Sequence, residues 1–380
     1  MKGHFKKRGA SWYFWVELEP DANGKRRQKS RGGFKTRKEA ERAFAELRDE
    51  VRRGVFVEPS KLTLNRYLDE EWFPAIRASV RPTTWRHYRG QFDAHIRPAF
   101  GRTLLVNVTP AKLNAFYAQL LTTGRSGRPG TLSPTTVRHA HTMLHKALSD
   151  AVRWGHLARN PVSLAEPPKA RPPVMKVWDA TQLRAFVDHT SDHRLAAAWL
   201  LLVTTGMRRG EVLGLTWQHL DLKHARLAVV QTLTVVDYHD VRFSEPKTAK
   251  GRRSVALDHR TVAALKGHRK AQLRERLSWG EAWTDTGLAF SREDGTAIHP
   301  ERLTSWFEQL SRDAGLPKIR LHDLRHSYAT AALTAGVAAK VVSERLGHAS
   351  VGITLDTYSH VLPALQEDAA DVVADMILGP

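Results

Sequence analysis

The sequence predicts a multidomain protein that is mainly α-helical with small β-sheets. The chain has 380 residues, more than the roughly 150 expected of one domain. Apolar residues recur at helical spacing along most of it, while β-type runs are confined to residues 11–30 and about 227–257. A proline-rich stretch at 161–173 cannot hold regular structure and separates unlike halves.

Composition narrows the class of partner. Lys and Arg number 59 against 39 Asp and Glu, which gives a net charge of +20. Such an excess indicates a polyanion, with nucleic acid as the first candidate. The longest apolar run, Leu195–Val203, is too short to cross a bilayer. The N-terminus lacks the core of a signal peptide, and the absence of Cys excludes disulfides and thiolate chemistry. We therefore expect a cytoplasmic protein with no membrane partner.

Residues 1–57 are predicted to form a small module. A half-buried strand is indicated by apolar residues at every second position, Trp12, Phe14 and Val16. A basic second strand is expected over Lys25–Ser30, after a turn. Thr36, with Glu39 three residues on, forms a capping box that opens a helix to about residue 53.

The basic strand of this module offers candidate DNA contacts. One interpretation is a solvated β-hairpin that rests on a helix. The cations clustered on the strand favour a DNA-binding sheet instead, with Lys25, Arg26, Arg27, Lys29 and Arg31 as candidates.

Residues 61–165 are predicted to be all helical. The first of four helices is expected to stop before Pro74, and the second follows Arg81, a further candidate DNA contact. Thr109 and Ser133, each followed by Pro, are N-caps of the third and fourth. Four helices with basic ends are consistent with a clamp, and their aromatic residues are interpreted as core.

Residues 174–380 are predicted to mix helices with short strands. Between Val241–Phe243 and Ser254–Leu257, a hairpin loop is expected to carry Lys247 near its tip. An acidic amphipathic helix over Pro363–Leu378 is expected to dock on protein.

The chemistry-bearing side chains concentrate between residues 321 and 360. They are two imidazoles, a guanidinium and a phenol, from His322, His348, Arg325 and Tyr358. A guanidinium forks onto two phosphate oxygens, an imidazole exchanges protons near neutral pH, and a phenol can attack phosphorus. Arg208 enters a helix from a Gly-containing turn, and Glu211 is within reach to orient it, although the pair could be only an intrahelical ion pair.

A zinc site is the competing interpretation of this region. His322 and His326 have the i, i+4 spacing of a zinc protease helix. Asp323 stands where that pattern needs Glu, and no third ligand is well placed. We therefore expect no metal. The phenol of Tyr358 has a usual pKa near 10, so its attack needs nearby cations or a base, which Arg208, Arg325, His322 and His348 could supply; Tyr328 is interpreted as packing.

These residues, taken together, resemble the tyrosine recombinase (phage integrase) family. The resemblance is carried in order by Arg208 in TGMRRGEVLGL, Lys247 in EPKTAKGRR, His322 and Arg325 in HDLRH, His348 in RLGH and Tyr358 in TLDTYSHV. It implies an arm-type DNA-binding module with a three-stranded sheet and a helix at 1–57, a SAM-like core-binding domain at 61–165 and a mixed α/β catalytic domain at 174–380.

The resemblance also implies the reaction: site-specific cutting and rejoining of DNA through a 3′-phosphotyrosine, to integrate or excise a phage or mobile element. Tyr358 would attack, Arg208 and Arg325 would clamp the phosphate, and Lys247 would protonate the leaving oxygen. His322 would serve in proton transfer with the nucleophile, and His348 would donate to a phosphate oxygen. Cationic side chains would replace a metal, so no cofactor is expected and activity should persist in EDTA.

The partners implied are double-stranded DNA with core and arm-type sites, three further copies in a homotetramer, and an accessory DNA-bending or directionality protein, at the nucleoid. Two alternatives stay open: a type IB topoisomerase-like enzyme, and a DNA-binding regulator with an inactive recombinase domain.

Overall fold

The computed structural model describes residues 3–18, 27–52, 60–124, 130–170, 175–236, 240–246, 249–358 and 376–378. The chain forms two compact units, Met1–Arg171 and Pro172–Pro380. The predicted class, mainly α with small antiparallel sheets, is confirmed. Across these described stretches, no helix combines the length and the apolarity needed to span a membrane.

The first unit begins with a three-stranded antiparallel sheet and one helix. Its strands are Gly3–Arg8, Ser11–Leu18 and Arg27–Phe34, and its helix is Arg37–Arg52. The predicted alternation is confirmed, because Phe14 and Val16 are fully buried against the helix. The capping box is confirmed as well: Glu39 N donates to Thr36 Oγ1 over 3.2 Å, and Thr36 N donates back to the Glu39 carboxylate. The second predicted strand is described from Arg27 onward, within the strand Arg27–Phe34, and Lys25 and Arg26 lie outside the described residues.

The rest of this unit is helical. Its helices occupy Leu64–Arg66, Tyr67–Trp72, Phe73–Ile76, Pro82–Gln91, Phe92–Ile96, Arg97–Phe100, Pro110–Thr122 and Pro134–Arg153, with 3₁₀ turns at Leu105–Asn107 and Pro161–Leu164. The predicted caps are present: Thr109 accepts from Lys112 N, and Ser133 accepts from Thr136 N. The aromatic residues are core, as predicted, with Tyr67 and Trp72 fully buried.

The prediction that the first helix stops before Pro74 is wrong. The helix passes through Pro74 because the preceding segment, Tyr67–Trp72, is a π-helix. A proline inside an α-helix lacks an N–H and clashes with the carbonyl four residues back. The wider π turn relieves this conflict, since its hydrogen bonds reach five residues back. The same arrangement recurs at Phe92–Ile96, just before Pro98.

The second unit surrounds an apolar core with helices. The helices are Ala180–His189, Ala196–Thr205, Arg209–Leu213, His259–Trp279, Pro300–Asp313, Asp323–Thr334, Ala339–Leu346 and Val351–Thr357, with 3₁₀ turns at Trp217–His219, Ala249–Gly251 and Gly280–Ala282. The strands are Leu220–Asp221, Arg226–Val229, Thr232–Val235, Val241–Ser244 and Arg253–Ala256. Of the predicted tail helix, the structure describes Met376–Leu378, which is helical.

The predicted hairpin around Lys247 is wrong. Val241–Ser244 pairs with Thr232–Val235, whereas Arg253–Ala256 pairs with Arg226–Val229 in a separate sheet. Each strand finds an earlier partner, because pairing with Arg226–Val229 buries Val255 in the main core. The segment that carries Lys247 therefore connects two sheets, and Lys247 itself lies outside the described residues.

Candidate active site

Arg325 joins the ends of two helices at the centre of the site. It lies in the first turn of helix Asp323–Thr334 and is 3% exposed. Its Nη1 donates to Gly206 O over 2.9 Å, and its Nη2 donates to Leu346 O over 2.7 Å. Both carbonyls are at helix C-terminal ends, where partial negative charge favours a cation. Burial, aided by the charge of Arg208, lowers the pKa of Arg325 to about 9, which still leaves it charged at neutral pH.

Arg208 is oriented by a buried carboxylate. It precedes the short helix Arg209–Leu213, and its Nη1 donates to Glu211 Oε1 over 2.7 Å. Its backbone N donates to the other carboxylate oxygen over 2.9 Å. The Arg208 side chain is 42% exposed, whereas Glu211 is 3% exposed. A charged, partly open guanidinium is thus held in one direction.

A second arginine holds the same carboxylate from the other side. Arg253 donates to Glu211 through both Nη atoms, over 3.1 and 2.9 Å, and through Nε to Arg345 O over 2.6 Å. Burial alone would raise the pKa of Glu211. The hydrogen bonds and charges of Arg253 and Arg208 outweigh it and lower the pKa to about 2. Glu211 is therefore ionised and fully engaged.

Two neutral imidazoles adjoin these cations. Burial, followed by the charges of His326 and Arg325, lowers the pKa of His322 to about 4. Burial and the charges of Arg325 and Arg208 do the same for His348. His348 Nδ1 lies 2.8 Å from Thr354 Oγ1, so Nε2 is the nitrogen left for a ligand. Both rings are uncharged near pH 7.

Tyr358 follows helix Val351–Thr357 and is 1% exposed. Its ring packs in a small core with Ala329, Leu333, Val342 and Leu346. Its hydroxyl lies 2.8 Å from His326 Nδ1. Burial raises the pKa of Tyr358 to about 12, against the opposing charge of Arg325. The phenol therefore lies within electrostatic reach of the Arg325 guanidinium.

The structure brings five of the six candidate catalytic residues into one electrostatically interacting cluster, called the pocket from here on: Arg208, His322, Arg325, His348 and Tyr358. The sixth, Lys247, lies outside the described residues. The candidate DNA contacts belong to the other unit. Arg27 and Lys29 fall within the strand Arg27–Phe34, and Arg81 is exposed at the start of helix Pro82–Gln91.

Sequence reasoning missed two members of this pocket. Arg253 follows a basic run that has no diagnostic spacing. Only the burial of Glu211, seen in the structure, reveals that this carboxylate needs a second cation beside Arg208. The sequence pattern suggests a role for His326 solely as a zinc ligand. Its i, i+4 relation to His322 did place both rings on one helix face, and their centroids are 5.4 Å apart. No cluster of three or more potential metal-ligating side chains occurs in the part of the chain that the structure describes.

The arrangement suits a phosphodiester. Three guanidinium groups, from Arg208, Arg253 and Arg325, around the single carboxylate of Glu211 leave net positive charge for phosphate oxygens. Neutral imidazoles can donate or accept protons. A phenol beside them can act as a covalent nucleophile.

Comparisons with known proteins point the same way. Residues 174–364 match the model of the phage integrase family, residues 4–51 that of an arm DNA-binding domain, and residues 63–121 that of a phage integrase N-terminal SAM-like domain. A tyrosine recombinase XerC-like protein of Caldanaerobacter subterraneus subsp. tengcongensis is 28% identical over 99% of both chains.

Two solved structures share the fold. A Tn1549 transposon integrase in complex with transposon right end DNA has a TM-score of 0.67 at 18% identity, over 81% of this chain and 100% of that one. A lambda integrase tetramer bound to a Holliday junction has a TM-score of 0.57 at 16% identity, over 92% of this chain and 96% of that one.

Proposed function

Because this chain belongs to the phage integrase family of tyrosine recombinases, we propose that Tyr358 is its nucleophile and that Arg208 and Arg325 hold the scissile phosphate. The protein is a site-specific DNA recombinase of the mobile-element integrase type, which cuts and rejoins DNA. The observation that supports the residue roles is the convergence of a buried phenol and two guanidinium groups in one pocket.

The proposed reaction begins when Tyr358 Oη attacks phosphorus and the 5′ oxygen leaves. Charge builds on the non-bridging oxygens, where donors aimed in advance are most effective. Arg208 supplies an exposed guanidinium, kept in place by Glu211, and Arg325 supplies the N–H groups that its two carbonyls leave free. His348 directs Nε2 toward a phosphate oxygen. Lys247 delivers the proton to the leaving 5′ oxygen. The phosphotyrosine conserves the bond, so rejoining needs no ATP.

The proposed DNA partners follow the three family matches. The helical part of the first unit and the catalytic unit would hold the core site. The sheet at the N-terminus would hold an arm-type site. Strand exchange joins two duplexes, so we infer a homotetramer on DNA, like the lambda integrase tetramer on its Holliday junction. Action on bacterial DNA would place the protein at the nucleoid, in the cytoplasm.

A covalent-trapping experiment tests the nucleophile. A nicked core-site duplex that loses its 5′-hydroxyl fragment after cleavage should accumulate a protein–DNA adduct. Tyr358→Phe should bind the same duplex with unchanged affinity and form no adduct, because it lacks the attacking oxygen. Tyr328→Phe is the matched control: its hydroxyl accepts from Arg345, and its loss should leave the adduct. Adduct formation by Tyr358→Phe would reject the assignment.

The same assay separates the alternatives. A regulator with an inactive domain would bind the duplex and give no adduct in the wild-type protein. A topoisomerase-like enzyme would give the adduct but would not exchange strands between two attachment-site duplexes. Recombinant product that depends on Tyr358 supports the recombinase.

A further inference from the structure

The hydroxyl of Tyr358 makes its hydrogen bond with His326 rather than with His322. The distance from Tyr358 Oη to His326 Nδ1 is 2.8 Å, and the ring centroids are 5.8 Å apart. His322 meets His326 edge-on, with an interplanar angle of 87°. A general base must lie within hydrogen-bond reach of the proton that it removes, and His326 satisfies that requirement as the protein stands.

We propose that His326 accepts the phenolic proton of Tyr358 during attack on phosphorus, the role that the sequence had suggested for His322. This proposal rests on the proposed function, since it takes Tyr358 as the nucleophile. His326 would then be a catalytic residue in its own right, because its ring touches a reacting atom.

The step balances as follows. The Tyr358 Oη–P bond forms while the P–O5′ bond breaks, and the electron pair departs with O5′. The proton of Tyr358 Oη moves to His326 Nδ1, and a second proton, from Lys247, completes the 5′-hydroxyl. Rejoining reverses each transfer, so that His326 returns its proton to the departing phenolate.

A base is needed because the phenol is held in its neutral form. With the pKa of Tyr358 raised to about 12 by burial, only about one molecule in 100,000 carries a phenolate at pH 7. His326 can accept a proton there, because burial above all lowers its own pKa and keeps it neutral. A neutral ring that receives the Tyr358 proton at Nδ1 carries its own proton on Nε2.

The groups around His326 shift the pKa of its ring. Asp323 raises its pKa, and Arg325 and Arg320 lower it. His322, which directly precedes the same helix, and His348, which follows helix Ala339–Leu346, also sense its charge. Tyr358 faces it from the end of helix Val351–Thr357. Burial, together with the cations, lowers the pKa of His326 and keeps the ring in its basic form, so cleavage should decline only as the pH falls below the ordinary pKa of a histidine.

The variants His326→Asn and His322→Asn test which of the two histidines accepts the phenolic proton. Asn places an oxygen near the position of Nδ1, so it can accept a hydrogen bond but cannot take up the proton. His326→Asn should reduce single-turnover adduct formation by roughly 10²–10⁴-fold while DNA affinity and thermal midpoint stay near wild type. His326→Asn that cleaves within about threefold of wild type, with an adduct that still depends on Tyr358, would overturn the role of His326 and leave the proposed function intact.

A change in the acidity of the Tyr358 phenol shows whether His326→Asn has lost the base. Fluorinated tyrosine placed at position 358 alone lowers the pKa of the phenol and reduces its need for a base. It should restore His326→Asn toward wild type and should not restore His322→Asn. A substrate with sulfur in place of the 5′ bridging oxygen should not restore His326→Asn, because a thiolate leaves without a proton and relieves only loss of the acid. Rescue by the sulfur substrate would move His326 to the leaving-group side and overturn the proposal.

A measurement without any change at position 326 covers the case in which the variant fails to fold. In the wild-type background, fluorination of Tyr358 should leave the acid limb of the pH–rate profile where it is, because that limb belongs to a histidine. A limb that moves down with the pKa of the phenol would show that the phenolate forms without His326.

Discussion

At the scale of the residue, the pocket depends on one carboxylate that serves two arginines. Glu211 orients Arg208 toward solvent and is itself neutralised by Arg253, whose side chain is 6% exposed. Arg208 and Glu211 were predictable, because they are three residues apart at the start of one short helix. Arg253 is 42 positions further along the chain, and only tertiary packing brings it to Glu211. The same holds for His326 and Tyr358, which are 32 positions apart.

Removal of Arg253 should therefore lower the stability of the protein. Arg253→Met leaves Glu211 buried with one cation and should reduce the free energy of unfolding by roughly 3–5 kcal/mol, the usual loss when one partner of a buried pair is removed. Urea denaturation measures it. The neighbouring Arg252→Met is the control, since that side chain is 60% exposed and should change stability by less than about 0.5 kcal/mol.

A double variant shows whether the carboxylate also matters to Arg208. Glu211→Gln with Arg253→Met removes both buried charges and should recover much of the stability lost by Arg253→Met alone. Adduct formation should stay at least tenfold below wild type, because Arg208 loses the carboxylate that orients it. Recovery of full cleavage in the double variant would contradict that orienting role.

The acid sensitivity of the fold should report on Glu211. Its pKa is about 2 in the folded protein against 4.5 ordinarily, so its ionised form favours the folded state. That contribution, about 3 kcal/mol by linkage, should be complete above pH 4.5, decrease as the pH falls from 4.5 toward 2, and be absent below 2. The wild type should thus lose stability faster than Glu211→Gln across this window in urea titrations; parallel curves would argue against it.

At the scale of the element, the site is assembled from helix ends. Arg325 ties the C-terminal ends of Ala196–Thr205 and Ala339–Leu346. Helix starts were predictable, because caps such as Thr36, Thr109 and Ser133 are local. The π turns were not predictable, because each accommodates a proline that lies further along the chain. The pairing of Val241–Ser244 was not predictable either, because it depends on strands outside its own neighbourhood.

Gly206 provides a test of this assembly. It has φ of 63°, and an added Cβ would lie 2.6 Å from side-chain atoms of Leu346 and Tyr328. Gly206→Ala should destabilise the protein well beyond the roughly 1–2 kcal/mol of left-handed strain and should impair cleavage, because the carbonyl that holds Arg325 must move. Gly336→Ala is the matched control, with φ of 78° and no atom within 4 Å of the added Cβ; it should show the strain alone. Equal thermal midpoints for the two variants would refute the crowding argument.

At the scale of the whole molecule, the net charge of +20 fits a nucleic-acid partner. The family matches place an arm DNA-binding domain at residues 4–51 and the phage integrase family at residues 174–364, which suggests that arm binding and chemistry lie in different parts of the chain. Composition predicted the polyanion, and the ordered motifs predicted the enzyme. The choice among basic side chains for DNA contact did not follow from sequence. Arg31 is paired with Phe14 across the sheet. Because paired side chains lie on the same face of a sheet, Arg31 shares the core-facing side with Phe14, which a count of basic residues in the sequence does not reveal.

Deletion of residues 1–57 should separate the two kinds of site. The shortened protein should still form the adduct on a core-site duplex and should lose binding to arm-type DNA, because the sheet is absent. Its affinity for long DNA should also depend less steeply on salt, since each phosphate contact contributes about 0.9 to the log–log slope. Gel-shift titrations at several salt concentrations measure both. An unchanged slope together with retained arm binding would contradict the division.

Arg325 has a consequence for how tolerance to substitution should be interpreted at this position. Since its guanidinium braces the interior through Gly206 and Leu346, in addition to its proposed role on the phosphate, a deep mutational scan scored on protein abundance alone would already show depletion at position 325. Arg208, being 42% exposed, should survive that scan and fail only in one scored on recombinant product. The difference between the two screens, position by position, would distinguish scaffold from chemistry.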